Sequence, residues 1–217
     1  MLLGAPFAGA PFHFMVSIAE KLGSLGVGIA GLGGLGSNVA IALARAGIGQ
    51  LIIADFDDVE QSNLNRQQYF IDQVGKPKVE CMIENLRRIN QAVKVIGCQM
   101  KLNAENIPEI FADADVIAEC FDTADAKQMI VETVLSKMTQ PVVSVSGLAG
   151  YGKSNEIRTR RISRRLVLIG DGLSGVDTCK ILTASRVGVA AMHQANAILE
   201  ILIDELSVKT QRQEQKI

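Results

Sequence analysis

The chain has 217 residues, 48% of them hydrophobic, which leaves room for one or two domains with a substantial core and excludes a disordered polymer. Its 22 Lys plus Arg against 23 Asp plus Glu give a net charge of −1, so no global field draws it to nucleic acid or an anionic membrane. Cys81, Cys98, Cys120 and Cys179 form no CxxC pair, and only His13 and His193 could join them. Neither a zinc site nor a disulfide framework is expected, and a reducing cytoplasm is the simplest setting.

The first residues, "MLLGAPFAGAPFHF", lack the basic start of a signal peptide, and residues 1–21 are expected to form a leader. Leu22 to Ala44 carries no charge and is long enough to cross a bilayer. Gly23, Gly26, Gly28, Gly31, Gly33, Gly34 and Gly36 argue against that, since each glycine weakens a helix by about 1 kcal/mol. The stretch divides instead into a strand, "GVGIAG" (26–31), and a helix, "GLGSNVAIALARAG" (34–47). Leu35, Val39, Ala42, Leu43 and Ala46 share one helix face, and Gly47 suits the C-terminal cap.

"QLIIAD" (50–55) reads as the second strand and ends in Asp55. After a polar segment, Gly75 and Pro77 announce a helix running to about Ile89. "VKVIGCQ" and "ADVIAEC" (114–120) read as strands three and four, followed by a helix near 124–138 and a fifth strand, "PVVSVSG" (141–147). "SNEIRTRRISRRLVLIGD" alternates without an intervening helix and suits two antiparallel strands. A last amphipathic helix is expected from about Val187 to Leu206. The fold class is therefore α/β: a Rossmann-like, doubly wound, mostly parallel sheet extended by antiparallel strands at the C-terminal side. The expected domain spans 22–207, with a polar tail at 208–217.

"GLGGLG" (31–36) fits GxGxxG between a strand and a helix. Gly31, Gly33, Gly34 and Gly36 allow a tight turn, close backbone approach to a phosphate and helix amides facing an anion. Asp55 is placed to accept hydrogen bonds from ribose hydroxyls. These features do not say which nucleotide binds, and on them alone NAD leads.

The segment "IIADFDDVEQSNLNRQQYF" (52–70) changes that reading. Asn63, Asn65 and Arg66 follow Asp55 closely and belong at the C-terminal edge of the sheet, where such folds bind ligands. Arg66 suits a triphosphate through bidentate, charge-assisted bonds, and Asn63 suits a phosphate or a ribose. "GKPKVE" puts Lys76 and Lys78 at a helix start, a phosphate site at some cost to the helix dipole. Asp122 in "AECFDTAD" follows a buried strand and suits Mg²⁺ beside phosphates, or else the N-cap of the next helix. Together these residues fit ATP better than NAD.

"GLGGLGSNVAIALARAGIGQLIIADFDDVEQSNLNRQQYF", "GKPKVE" and "ECFDT" resemble the ThiF/MoeB superfamily of ubiquitin-activating-enzyme-like adenylyltransferases over about 26–203. "SGLAGYGKSNEIRTRR" and "RVGVAAMHQAN" are most similar to its short branch labelled thiamine biosynthesis ThiF family 2. The resemblance implies ATP- and Mg²⁺-dependent adenylylation of the C-terminal Gly-Gly carboxylate of a small ubiquitin-like sulfur carrier, in thiamine biosynthesis, by a cytoplasmic homodimer without a membrane or nucleic-acid partner. By the same resemblance Asp55 is the ribose acid, Asp57 a further nucleotide residue, and Asn63, Arg66 and Lys78 phosphate contacts. Asp122 is the magnesium ligand, and Arg66, Lys78, Asp122 and Cys179 are the catalytic set.

Three features depart from the family pattern. The paired CxxC zinc motifs of many relatives are absent, no Arg precedes Arg45 to act as the N-terminal arginine, and T-D-N is Phe121-Asp122-Thr123. Cys179 is either a carrier-linking nucleophile, aided by Lys180 or Arg186, or a loop cysteine. Cys120, Cys81 and Cys98 read as packing residues and His193 as an ordinary helix residue. Arg158, Arg160, Arg161, Arg164 and Arg165 form either a solvated face or a docking patch for an acidic carrier. Adenylation of a small carboxylate or a tRNA nucleoside, and a nucleotide-binding interaction protein, are the competing readings. Asn65, Gln67 and Gln68 receive no individual role.

Overall fold

The computed structural model describes residues 20–175, 179 and 181–214, with side chains as far as residue 204. The 1–21 leader thus lies almost wholly outside the described residues. Seven strands form one sheet: β1 (Gly26–Ala30), β2 (Gln50–Asp55), β3 (Lys94–Gln99), β4 (Val116–Glu119), β5 (Val142–Val145), β6 (Arg158–Arg161) and β7 (Leu166–Gly170). The helices are α1 (Gly34–Ala46), α2 (Lys78–Ile89), the single turn α3 (Ile107–Ile110), α4 (Ala124–Lys137) and α5 (Ala184–Glu214).

The strand order is β3-β2-β1-β4-β5-β7-β6. Pairing is parallel from β3 to β7, and only β6 runs antiparallel, against β7. Successive strands step outward from β1 to β3 and then return to start again at β4. The order therefore reverses between β1 and β4, and crevices that bind ligands open at the carboxyl ends of strands at such a reversal. The expected α/β class and its antiparallel extension are both present.

The central strands are buried on both faces, as their unbroken apolar runs require. One core joins the sheet to α1, α2 and α5 through Leu43, Met82, Leu86 and Ile198; the other packs Ile107, Phe111, Ile130 and Val134 from the α3–α4 side. On α1, Leu35, Val39 and Leu43 are buried as expected, and Ala40 and Ala44 with them, while Ala42 and Ala46 are only partly covered. The buried stripe is rotated because α1 packs against α5 as well as against the sheet.

Residues 22–44, apolar enough to raise a membrane span, divide between β1, a turn and α1. No helix among the described residues is long and apolar enough to cross a membrane. The last helix begins before Val187 and runs past Leu206 to Glu214, through most of the expected polar tail. Charged residues without a breaker do not end a helix, and the segment contains neither Gly nor Pro.

Arg165 is not part of a solvated hairpin face. Its guanidinium donates to the carbonyls of Val134 (2.8 Å), Leu135 (3.2 Å), Met138 (2.6 Å) and Gln140, closing the C-terminus of α4. Arg161 meets Glu200 of α5 at 3.9 Å, whereas Arg158 and Arg160 are exposed.

Candidate active site

The glycine turn is held from both sides. Gly31 adopts φ +93°, a conformation that favours glycine, and a Cβ on Gly36 would stand 1.8 Å from the Gly31 carbonyl oxygen. Leu32 between them is gripped at both backbone groups: its N–H donates to Asp55 Oδ2 at 2.6 Å, and its carbonyl accepts from the Tyr69 hydroxyl at 3.0 Å. Burial, and then the Asp55 charge, push the Tyr69 phenol far up, so it remains a donor. Asp55 is buried, and its other oxygen accepts the Asp57 N–H at 2.9 Å. Each oxygen keeps a further acceptor direction for a hydroxyl from the cleft.

Beyond β2 the chain folds back on the approach to α2. Val59 N–H donates to the Lys76 carbonyl, Gly75 N–H to Val59 and Lys78 N–H to Asp57. This short antiparallel contact sets the Lys78 ammonium 2.8 Å from Asp57 Oδ2. The Lys78 side chain is 6% exposed and the Asp57 side chain 49%. Lys78 thus does not begin α2 as a bare cation opposing the dipole. It is neutralised from the side by Asp57, while Glu80 lies in the first turn.

The polar residues after Asp55 mostly serve one another. Arg66 donates to Asn63 Oδ1 at 2.8 Å and to Asn65 Oδ1 at 2.9 Å, and Asn63 donates to Glu60. Gln68 donates through Nε2 to Asn38 Oδ1 and through its backbone to Ser37 Oγ, which stitches the segment to α1. The amides of Asn63 and Asn65 therefore aim Arg66, and Asn63 keeps a second amide N–H for a further acceptor.

On the far wall, Glu119 is completely buried at the end of β4. Its carboxylate accepts from Lys127 Nζ at 3.1 Å, Ser144 Oγ at 2.6 Å and Phe121 N–H at 2.7 Å. Gln194 of α5 ties the Glu119 and Val143 carbonyls at 2.9 and 2.8 Å. This network fixes the turn that carries Asp122. Thr123, not Asp122, caps α4, accepting from Ala126 N–H. Asp122 is exposed and has no side-chain partner among the described residues.

These elements enclose a cleft of about 530 Å³. Gly31, Gly33, Gly34, Asp55, Asp57, Asn63, Arg66, Lys78 and Asp122 all line it. Gly36 does not; its part is the close packing described above. Cys179 does not line it either; its Sγ sits 3.8 Å from where a Cβ on Gly150 would stand, and its N–H donates to Gly175, which does border the cleft. Lys180, the helper considered for Cys179, lies outside the described residues. The other, Arg186, is engaged: it donates to Asp171 at 2.6 Å and to the Gly152 and Lys153 carbonyls.

Sequence reasoning passed over Lys127, Glu119 and Gln67. An acid inside the apolar run "VIAEC" is the signal that could have found Glu119, because a buried charge demands a partner. Cys120 is buried against Gln194, and burial pushes its thiol far up, as suits a packing residue. Burial raises the Cys81 and Cys98 thiols too.

For a divalent ion the cleft offers the unpartnered Asp122 carboxylate, and no cluster of three or more His, Cys, Asp or Glu occurs among the described residues. That set fits Mg²⁺, which takes one or two carboxylates and completes its shell with phosphate oxygens and water.

The family model for the ThiF family matches residues 10–216. The chain belongs to the ThiF family. Among curated relatives it is 36% identical over 134 residues to the sulfur carrier protein ThiS adenylyltransferase of Escherichia coli K12, covering 61% of this chain and 53% of the relative. It is 40% identical over 134 residues to the adenylyltransferase and sulfurtransferase uba4 of Aspergillus clavatus, covering 61% of this chain and 27% of that protein. The chain thus spans about half the length, or less, of these relatives. Among solved structures, the E. coli tRNA N6-threonylcarbamoyladenosine dehydratase TcdA in complex with AMP superposes with a TM-score of 0.77 at 20% identity, covering 88% and 91% of the two chains. E. coli MccB with ATP gives 0.67 at 24% identity, covering 86% and 59%. At those identities the likeness is one of fold.

Proposed function

We propose that this ThiF-family chain is an ATP-dependent adenylyltransferase acting on the C-terminal Gly-Gly carboxylate of a small ubiquitin-like sulfur carrier. The observation that carries the reading is the convergence of Asp55, Arg66, Lys78 and Asp122 on one cleft above the glycine turn. Hydride transfer from a nicotinamide needs neither two phosphate-seeking cations nor an exposed carboxylate opposite them. The relatives named as adenylyltransferases support the same reading, as does the binding of ATP or AMP by proteins of this fold.

Asp55 orients the ribose, while Arg66 and Lys78 receive the phosphates. A carrier carboxylate oxygen forms a bond to the α-phosphorus as the bond to the bridging oxygen of the β-phosphate breaks. Pyrophosphate leaves with the electron pair and an acyl-adenylate remains. Arg66, braced by two amides, is pre-aimed at the charge that grows on the leaving group. Mg²⁺, held by Asp122, would neutralise phosphate charge.

The working unit is residues 22–207 together with the remainder of α5, in a cytoplasmic homodimer, and thiamine biosynthesis is the pathway. After adenylation the Cys179 thiolate, at the cleft's border, attacks the acyl carbon of the carrier adenylate: a carbon–sulfur bond forms, the bond to the phosphate oxygen breaks, AMP leaves and a thioester remains. ATP–pyrophosphate exchange with carriers ending in Gly-Gly tests the proposal. Exchange that depends on the carrier and is lost in R66A is expected; ATP binding without exchange for any carrier would favour an interaction protein. AMP formation dependent on tRNA would favour a nucleoside substrate instead.

A further inference from the structure

One ion pair on the cleft wall has more donors than partners. Lys127 stands one turn into α4, its N–H donating to the Thr123 carbonyl at 3.1 Å. The side chain reaches the buried Glu119 at the end of β4, and its ammonium meets both carboxylate oxygens at 3.1 Å. An ammonium carries three N–H groups, and no third partner occurs among the described residues. The Lys127 side chain is 22% exposed and lines the cleft. Glu119 also accepts from Ser144 Oγ and the Phe121 N–H, so its own capacity is taken up inside the protein. What the pair has left over is one donor, at the cleft wall.

The sheet order says which substrate that donor meets. Strands β1 and β4 are neighbours at the reversal, and the cleft is lined from both sides of it. Gly33, Asp55, Arg66 and Lys78, read above as nucleotide ligands, follow β1 and β2. Lys127 belongs to the other side: its Glu119 anchor closes on Ser144 of β5, and Val145, Gly147 and Leu148 line the cleft just beyond. Cys179, which takes the acyl group in the second step, lies beside Gly150, three residues further along the chain than Gly147. Adenylation brings two anions into one cleft, and the nucleophile needs a donor of its own to offset its repulsion by the phosphates. Lys127, shared with Glu119, offers a fixed N–H with little net charge. Such a donor orients one carboxylate oxygen and leaves the other to attack phosphorus.

We infer that Lys127 is a catalytic residue for the second substrate: its third N–H donates to one oxygen of the incoming acyl carboxylate, an inference that rests on the adenylation reading above. The test takes a Gly-Gly-terminated carrier that supports exchange in the wild type, and the same carrier ending in a carboxamide. Both are titrated calorimetrically, without nucleotide, into the wild type, E119Q and E119Q/K127M. E119Q keeps the ammonium, and the double variant leaves no charge unpaired. K127Q, which can still donate to Glu119, runs in parallel and carries the test if the double variant does not fold. The wild type and E119Q are expected to bind the acid about tenfold or more tighter than the carboxamide, a preference that E119Q/K127M loses and K127Q weakens. In the double variant kcat/KM for the carrier should fall about tenfold or more, with ATP affinity within about twofold of wild type. An undiminished preference for the acid in E119Q/K127M and K127Q would overturn the inference and leave the adenylation reading standing. So would a loss in E119Q equal to that in the double variant, which would assign the effect to the Glu119 network. A matching fall in ATP affinity would overturn it by giving Lys127 to the nucleotide. A wild-type chain without carrier-dependent exchange would sink both.

Discussion

The Lys78 ammonium rests on Asp57 at 2.8 Å, so a cation turned toward the cleft is already paired before any ligand arrives. A triphosphate must compete with a half-exposed carboxylate for it. In the ATP reading Asp57 acts as a holder that keeps a nearly buried ammonium in place and releases it to the stronger anion.

Removing either partner should therefore have unequal effects. K78A is expected to lower pyrophosphate exchange by about 10²-fold or more, the scale for losing one charge-stabilising donor. D57A should stay within about tenfold, because Lys78 can still turn to phosphate. D57A should instead cost about 1–2 kcal/mol in urea unfolding, less than a fully buried pair because Asp57 is half exposed.

Asp122 makes no side-chain bond among the described residues, so its loss should leave stability unchanged. D122N is expected to reduce exchange by about 10²-fold and to shift the Mg²⁺ titration to higher concentration. AMP binding measured without a metal should be unaffected. A drop in melting temperature would show that the carboxylate supports the fold instead.

Glu119 gives the opposite pattern. E119A strands Lys127 and opens the hydrogen bonds to Ser144 and Phe121, and should destabilise the chain by about 3 kcal/mol or more. The double variant E119Q/K127M should be milder than E119A, because no charge is left unpaired. Urea denaturation of the three proteins measures the coupling.

The Asp171 carboxyl supplies a pH signature. Burial raises it, but the Ser174 hydroxyl, the Ser174 and Leu173 amides and Arg186 together hold it at about 2, below its ordinary 3.8. A depressed folded value stabilises the native state above the unfolded value. The contribution, about 2 kcal/mol, is thus complete above roughly pH 4 and is lost as pH falls through about 2. D171N should flatten the acid limb of a stability–pH curve over that window.

Cys179 lies beside the cleft rather than on its wall. C179S should leave pyrophosphate exchange within twofold of wild type and abolish any thiol-sensitive carrier adduct, as resolved by non-reducing electrophoresis with mass spectrometry. Equal loss of exchange would place the cysteine in adenylation itself.

The strand–helix alternation was legible because each crossover leaves a local pattern: an apolar run, a glycine, an amphipathic stretch. The residues lining the cleft were legible for a related reason, since strands end where apolar runs end, and Asp55 and Asp122 stand just there. Pairings were not. Asp57 and Lys78 are 21 residues apart and Glu119 and Gln194 are 75 apart, distances at which no sequence period operates. Gln68 had no role on paper because its partner, Asn38, is 30 residues away and set by tertiary geometry, and Asn65 had none because no residue pattern marks its bond to the adjoining Arg66. The end of α5 was misplaced for a simpler reason: polarity was taken as a stop signal where no breaker is present.

Gln194 holds the carbonyls of Glu119 and Val143 together from α5. The ribosome delivers the glycine turn, Asp55, Arg66, Lys78 and Asp122 well before that glutamine emerges. A nascent chain halted ahead of α5 would own every cleft residue named above and still lack the tie across β4 and β5 that steadies the Asp122 turn. The tie across β4 and β5 is therefore made later in synthesis than the cleft residues it steadies.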